Sequence, residues 1–201
     1  MVRKEGNLWM LLGLLLLAAA LCLTGYNLWE EYQAEKSARQ VLSQMEAQLP
    51  EPAALPAYLV APEMEMPILI IDGHEYIGYL YIPSLDLSLP VMSQWSYPNL
   101  KLAPCRYSGS AYLDNLIIAG HNYKKQFGVL KNLQLGDKIV FTDMDRNSFI
   151  YAVSEILVLE PTAVEELQAG DWDLTLFTCT PGGQSRITVR CVKQMERVPA
   201  L

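Results

Sequence analysis

The longest apolar stretch of this chain divides it into two parts that must fold in different surroundings. Residues 8–23 contain no charged side chain, and residues 24–26 extend the stretch to about the 20 residues that cross a bilayer as a helix. Trp9 lies near one end and Trp29 just beyond the other, where aromatic rings favour the membrane interface. We therefore expect a transmembrane anchor over residues 8–28.

The charges on either side of this stretch predict its orientation. Arg3 and Lys4 precede it, whereas Glu30 and Glu31 follow it. Basic residues next to a membrane helix are retained on the cytoplasmic side. Residues 1–7 are thus expected in the cytoplasm, and everything after the anchor is expected outside the cell.

A cleaved signal peptide is the alternative interpretation of the same stretch. Residues 18–20 are three alanines and offer an A-x-A cleavage site after a short apolar core. The uncleaved anchor is favoured because the apolar character continues past that site.

The composition of the chain limits its partners. The formal net charge is −7 and 51% of the residues are apolar, so a packed core is feasible and no basic surface for nucleic acid is expected. The sequence has no Cys-x-x-Cys or paired-histidine spacing for a metal site and no glycine-rich phosphate loop. We therefore expect no nucleic acid partner and no metal or other cofactor.

Residues 29–66 are predicted to connect the anchor to a folded domain. Residues 30–49 contain neither glycine nor proline and are rich in helix formers, which predicts a helical stalk. The prolines that follow forbid a long helix and favour a semi-rigid extended linker. They are Pro50, Pro52, Pro56, Pro62 and Pro67. A catalytic domain is expected over residues 67–201.

This domain is predicted to be mainly β. Short runs of apolar and β-branched residues alternate with turn signals such as Asp72-Gly73. Strands are expected at 68–71, 76–82, 116–120, 138–142, 149–159, 174–179 and 186–192, and short helices at 126–133 and 162–167. Many short strands with regular turns predict a closed β-barrel or a sandwich.

Three residues in this domain combine into a catalytic hypothesis. Cys179 ends a predicted strand, and His121 follows another at its transition to a loop. Arg186 opens the last strand after a tight turn, so its strand end should meet that of Cys179. A thiol nucleophile, a proton-transfer group and a permanent cation suffice for acyl transfer through a thioester. Arg190, on the same face of its strand, is the competing arginine.

The other histidine and cysteines have simpler interpretations. His74 lies in the Asp72-Gly73 turn and is expected to be solvated. Cys22 falls inside the apolar stretch, which leaves Cys105, Cys179 and Cys191 outside the membrane. An odd number in an oxidising compartment indicates a free thiol. Whether Cys105 and Cys191 pair or are simply buried stays open at this point.

With these residues in place, the chain resembles the sortases, membrane-anchored cysteine transpeptidases of Gram-positive bacteria. Residues 175–179, Thr-Leu-Phe-Thr-Cys, match the TLxTC motif of that family. Residues 186–189, Arg-Ile-Thr-Val, match its arginine strand, and residues 118–122, Ile-Ala-Gly-His-Asn, match its histidine motif. The resemblance covers about residues 71–192.

The resemblance implies a closed eight-stranded barrel with short helices and a two-step reaction. Cys179 would attack the Thr–Gly bond of an LPxTG-like sorting signal, and an amine on a peptidoglycan precursor or a pilin lysine would resolve the thioester. His121 would be the general acid and base, and Arg186 would stabilise substrate and oxyanion. Within the family, thiol and imidazole are thought to be mostly neutral, with a minor ion-pair population reacting.

Several features stay open within this resemblance. Thr178, Asn122 and Thr180 flank the three residues and are the candidates for the substrate groove. Calcium activation is undecided, although Asp143 and Asp145 are expected to lie in a turn. Residues 160–173 are too few for the long helix of class B enzymes, no Asp-Pro-Trp-like lid precedes the barrel, and no second membrane segment is expected near the C-terminus. The class is therefore left open.

Two other functions remain as rivals. A cysteine endopeptidase would use the same residues but release its product to water. A non-catalytic, membrane-tethered β-domain that binds wall components would need none of them.

Overall fold

The N-terminal half of the molecule begins with one long helix. The computed structural model describes residues 2–194, and α1 runs over Val2–Gln48. Within it, Asn7–Gln48 is long and apolar enough to cross a membrane, with a mean hydropathy of 2.3 over its most apolar window and none of that window buried. The predicted flanking charges Arg3 and Lys4 lie outside the side chains that the structure describes, as do residues 195–201 of the predicted catalytic domain.

The second half of α1 packs onto the globular domain. Four apolar residues spaced by four, three and four positions form one buried stripe on the helix: Ala34, Ala38, Val41 and Met45. Val41 and Met45 join a cluster with Ile71, Tyr76 and Met92. The helical stalk is therefore docked along the domain, a feature that its sequence did not reveal.

The proline-rich linker that follows packs against the main core. A short 3₁₀ turn over Ala57–Leu59 interrupts it. The ring of Tyr58 stacks on that of Tyr112 with centroids 4.7 Å apart, and Met66 is buried in the main core.

The domain itself is a closed barrel of eight strands with one extra strand. The strands are β1 Leu69–Ile71, β2 His74–Ile82, β3 Leu87–Met92, β4 Cys105–Ser108, β5 Leu116–Ala119, β6 Lys138–Asp143, β7 Ser148–Leu159, β8 Leu174–Cys179 and β9 Arg186–Lys193. The order β2-β3-β4-β5-β8-β9-β7-β6 closes through the pairing of β6 with β2, and β1 extends the edge of β2 as a hairpin. The predicted eight-stranded barrel is confirmed.

Two strands and one helix were not predicted. β3 contains Pro90, whose nitrogen cannot donate to a ladder. β3 pairs with β4 only at Met92–Cys105, so at Pro90 only one side of β3 belongs to a ladder. Between these strands, α2 spans Tyr97–Leu102.

The predicted short helices are present in modified form. The first is a 3₁₀ helix over Phe127–Asn132, and the second is α3 over Val164–Gln168. The five residues of α3 agree with the expectation that no long helix fits between β7 and β8.

The barrel interior is filled by alternate residues of the strands. On β8, Leu174 and Leu176 are fully buried in the main core. Phe177, on the outer face, belongs to a separate small cluster with Ala119 and Leu159. On the outer face of β8, Thr175 and Phe177 are buried and Cys179 is exposed, which leaves room for a site at the end of the strand.

Candidate active site

Parallel pairing of β5 and β8 brings the predicted histidine and cysteine together. Leu116 lies opposite Leu174, and the register runs on to Ala119 opposite Phe177. The Gly120 N–H donates to the Phe177 carbonyl at 3.0 Å, which continues this register beyond β5. Two residues further along, His121 and Cys179 leave neighbouring strand ends at the same edge of the barrel.

A close approach of two elements fixes the path of the chain at the histidine. The ring of Phe127 packs against Gly120 so tightly that a Cβ there would lie 2.3 Å from ring atoms. The Phe127 N–H donates to the His121 carbonyl at 3.1 Å, and the His121 N–H donates to Oε1 of Gln126 at 3.3 Å. Gln126 is almost fully buried, so the loop is held by the barrel core.

The His121 ring lies in a half-buried position with little hydrogen bonding. It stacks on the Tyr123 ring with centroids 3.8 Å apart, and its Nδ1 is buried without a hydrogen-bond partner. Burial lowers the pKa of His121; the nearby Glu30 carboxylate opposes this effect, and Lys101 adds to it. The neutral imidazole is therefore favoured at neutral pH.

Cys179 lies at the exposed end of β8. Because side chains alternate along a strand, it shares the outer face with Phe177. The ring of Phe177 is held by an edge-to-face contact with Tyr107 at 5.4 Å. The thiol thus projects from a rigid strand whose neighbouring side chain is fixed.

Arg186 lies directly across from the cysteine. The antiparallel register pairs Cys179 with Arg186, and the Arg186 guanidinium carbon lies 5.6 Å from the centroid of the Phe177 ring. Among residues 2–194, Arg186 takes part in no ion pair. Its charge is therefore available to a ligand beside the thiol.

Arg190, the competing arginine, is occupied by contacts within the domain. Its guanidinium donates to Glu155 at 2.8 Å and to the carbonyl of Glu166 at 2.6 Å. It also lies over the ring of Trp172 at 5.4 Å. Arg190 pairs with Thr175, four residues from Cys179, so it serves the structure of the barrel wall.

The predicted groove residues occupy three different positions. Asn122 is half-buried and lines the cavity that contains Cys179. Thr180 closes the turn between β8 and β9: its N–H and its hydroxyl donate to the Ser185 carbonyl at 2.8 and 3.1 Å. Thr178 is only 1% exposed and lies on the inner face of β8. Its inclusion in the groove is corrected, because strand alternation directs it away from Cys179.

A small cavity joins the thiol and the imidazole. Its volume is about 180 Å³, and Tyr97, Leu100, Lys101, Gly120, His121, Asn122 and Cys179 line it. Sequence reasoning missed the three residues from α2. A signal was present, since Ser96 is a typical helix N-cap and its Oγ accepts from the Asn99 N–H at 3.1 Å, while Pro98 lies in the first turn.

The remaining cysteines have none of these features. Cys105 and Cys191 are both free and fully buried, and burial raises the pKa of each thiol to about 12. Cys179 is exposed and lies outside the apolar segment of α1, so it is the accessible thiol of the domain. The pairing of Cys105 with Cys191 that the sequence left open does not occur.

No cation site is evident among residues 2–194. They contain no group of three or more His, Cys, Asp or Glu side chains that could hold a metal ion. The Asp143 carboxylate instead accepts from the Tyr112 hydroxyl at 2.7 Å and from the N–H groups of Asp145 and Asn147. This acidic pair stabilises a turn.

Comparison with known proteins agrees with this geometry. Residues 80–194 match the sortase domain model. The chain belongs to the sortase family. Members of this family are generally cysteine transpeptidases that act on surface proteins.

Two further comparisons extend the match beyond the barrel of this sortase. It is 28% identical to sortase A of Bacillus anthracis over 187 residues, which cover 88% of this chain and 89% of that protein. The structure of sortase A from Corynebacterium diphtheriae superposes with a TM-score of 0.56 at 21% identity, over 85% of this chain and 86% of that one.

The solved structure of a third relative holds a peptide in its active site. Sortase E1 from Streptomyces coelicolor, described with a tripeptide in its active site, has a TM-score of 0.53 at 26% identity. The match covers 60% of this chain and 88% of that one.

Proposed function

We propose that this protein is a transpeptidase that cleaves an LPxTG-like sorting signal on surface proteins and joins the product to an amine of the cell wall or of a pilin. One observation carries the proposal. The registers of β5, β8 and β9 bring together the strand ends from which His121, Cys179 and Arg186 extend, and His121 and Cys179 line one cavity.

The first step uses the thiol and the imidazole as a pair. The thiolate of Cys179 attacks the carbonyl carbon of the scissile Thr–Gly bond, and the bond to nitrogen breaks. His121 gives a proton to the leaving amine, and a thioester remains on Cys179. Because burial lowers the pKa of His121, its imidazolium gives up that proton readily.

The second step reverses the proton transfer. An incoming amine attacks the thioester carbonyl, His121 removes its proton, and the Cys179 thiolate leaves. The tripeptide in the active site of sortase E1 supports a peptide ligand for the corresponding cavity of this chain.

Arg186 is the group that stabilises negative charge. Its guanidinium is anchored over Phe177 and has no carboxylate partner among the described residues, so it can donate to the substrate carbonyl as an oxyanion develops.

The long helix α1 supplies the expected location. We propose that residues 8–28 form a single membrane anchor that holds residues 67–201 as an extracellular catalytic domain, with residues 29–66 between them. The exposed apolar surface of this segment supports that arrangement.

The test is to trap the thioester on the full-length protein in nanodiscs. Incubation with an LPxTG-containing peptide should add the mass of the fragment that ends in threonine, as measured by intact-protein mass spectrometry. Cys179→Ala should lack the adduct, whereas Cys22→Ala, which removes a thiol outside the site, should keep it. Turnover by Cys179→Ala would contradict the assignment.

Product analysis separates transfer from hydrolysis. In the presence of triglycine or lysine amide, a transpeptidase gives the amide-linked product. Release of the free acid alone at saturating amine would instead support an endopeptidase.

A further inference from the structure

The first turn of α1 beyond the predicted membrane span contacts a residue that lines the cavity of Cys179 and His121. Oε1 of Glu30 lies 2.7 Å from Nζ of Lys101, and Lys101 lines the same cavity as Cys179 and His121. The pair joins two elements separated by about seventy residues of sequence, of which one carries the membrane anchor. Lys101 is held in place by this contact.

The Glu30 carboxylate also lies near Tyr123, the residue whose ring stacks on that of His121. Burial raises the pKa of Tyr123, and the nearby Glu30 carboxylate raises it further, although the two side chains form no hydrogen bond of good geometry. The Tyr123 ring in turn stacks on the imidazole. Glu30 therefore lies near two groups that neighbour His121: the Lys101 cation of α2 and the Tyr123 phenol of the loop.

Neighbouring carboxylates of the helix hold this arrangement. Glu31 accepts from the N–H of Lys124, and Glu35 lies 4.0 Å from Nζ of Lys125. Because Lys124 and Lys125 belong to the loop that follows His121, α1 contacts this loop at two further points.

Residues of α1 and His121 line a second cavity together. It has a volume of about 400 Å³ and lies on the side of His121 that faces α1. Its lining includes Thr24, Asn27, Glu30, Glu31, His121 and Tyr123. His121 thus lines both this cavity and the cavity that Cys179 lines.

We propose that Glu30 is a positioning residue of the catalytic site: docked through Lys101 and against Tyr123, it holds the His121 ring and supplies the negative charge beside it. The inference rests on the proposed role of His121 in catalysis. It implies that the membrane-proximal turn of α1 helps to position the catalytic site.

The charges around the imidazole predict the direction in which Glu30 shifts the pKa of His121. The ionisable groups that line the two cavities beside His121 are Glu30 and Glu31 of α1, Tyr97 and Lys101 of α2, Tyr123 and Lys124 of the loop, and Cys179 of β8. Glu30 raises the pKa of His121 and Lys101 lowers it. Removal of the Glu30 charge would take away the attraction and leave Lys101 unpaired, and both changes disfavour the imidazolium.

The direct test is a titration of His121 by nuclear magnetic resonance in nanodiscs. The chain has two histidines, so a His74→Gln background leaves a single imidazole signal. Glu30→Gln should lower the pKa of His121 by about half a unit, and Glu30→Asp, which keeps the charge, should recover most of the shift.

Two control variants of the same helix separate charge placement from other effects. Glu46→Gln makes the identical change at an exposed position far along α1 and should leave the His121 titration unchanged. Glu35→Gln weakens the ion pair with Lys125 but keeps the Glu30 charge near the imidazole. Its shift of the His121 pKa should therefore be less than half of that caused by Glu30→Gln. Equal shifts for Glu30→Gln and Glu46→Gln would overturn the proposal.

A kinetic measurement completes the design. If the minor imidazolium form reacts, half a pKa unit means about a threefold lower kcat/KM, with the acidic limb of the pH profile moved to lower pH by the same half unit. The titration needs no turnover. An inactive wild-type protein would therefore overturn the proposed function alone, whereas an unmoved His121 pKa in Glu30→Gln would overturn the role of Glu30 alone.

Discussion

The two ends of the β8–β9 hairpin carry the same residue types in opposite circumstances. At one end, Cys191 is fully buried and Arg190 is paired with Glu155 at 2.8 Å. At the other end, Cys179 is exposed, and Arg186 lies across from it over an aromatic ring. At the first end the cysteine is buried and the arginine is ion-paired. At the second end both side chains are free to contact a ligand.

The difference arises from strand alternation and from what covers each end. Cys191 pairs with Leu174 on the inner face, so it becomes part of the barrel core. Arg190 is on the outer face but meets Glu166 of α3 and Trp172. Where those elements end, the outer face has no cover, and reactive groups can meet a substrate there.

The largest expected contrast is in the reactivity of the two thiols. At pH 8, a thiol with a pKa of about 12 has roughly 10⁻⁴ of its population as thiolate, and Cys191 is also shielded from reagents. In a Cys22→Ala background, iodoacetamide should label Cys179 at least about a thousand times faster than Cys191. Peptide mapping by mass spectrometry measures both rates, and comparable rates would erase the distinction between the two ends.

The two arginines should separate activity from stability. Arg186→Ala should lower kcat/KM by about a hundredfold because it removes the donor to the oxyanion, with little change in unfolding. Arg190→Ala should leave kcat/KM within about threefold but cost about 1–2 kcal/mol of unfolding free energy, since it leaves Glu155 unpaired. Peptide cleavage rates and denaturant melts give the two quantities.

The conservative variant tests the geometry of the guanidinium. Arg186→Lys keeps the charge but not the planar fork of donors, so it should fall between the wild type and Arg186→Ala. The reverse ranking of the Arg186 and Arg190 variants would show that the arginine at the covered end serves catalysis.

A substitution at the base of the histidine loop should affect both properties. In Gly120→Ala the new Cβ would lie 2.3 Å from the ring of Phe127, which should cost about 1–3 kcal/mol. The relief of this clash would shift His121 and lower kcat/KM by about tenfold. Phe127→Leu in the same chain should recover part of the rate by making room.

A matched glycine controls for backbone strain. Gly136 has a positive φ of +89° but nothing within 4 Å of an added Cβ. Gly136→Ala should therefore lose stability without loss of specific activity. If both variants lose the same fraction of kcat/KM, the packing of Phe127 does not position His121.

Sequence predicted the parts of the site that depend on local pattern. The alternation in residues 174–179 and the turn before Arg186 were enough to place the strand ends, and the position of His121 after an apolar run was enough to indicate a loop at the barrel edge. The closed barrel follows the same logic, because the resemblance and the strand spacing agree on it.

What sequence did not predict depends on contacts between distant segments. The pair of Glu30 with Lys101 and the docking of α1 join elements that are distant in the sequence, and the separate pattern of each element does not say which partner it contacts. The helix α2 was missed because six residues provide too little periodicity, although its N-cap signal was readable.

The smallest expected effect concerns Thr178, the residue beside Cys179 that the groove hypothesis included. Its hydroxyl is buried in the barrel and has no hydrogen-bond partner, which is costly for a polar group. Thr178→Val keeps the shape of the side chain and removes that cost, so it should raise the free energy of unfolding by about 1 kcal/mol and leave kcat/KM within about twofold. A rate loss of tenfold or more would instead show that this hydroxyl contacts the substrate. The comparison between the two faces of β8 would then fail at its exposed end, since a residue on the inner face would be taking part in the reaction.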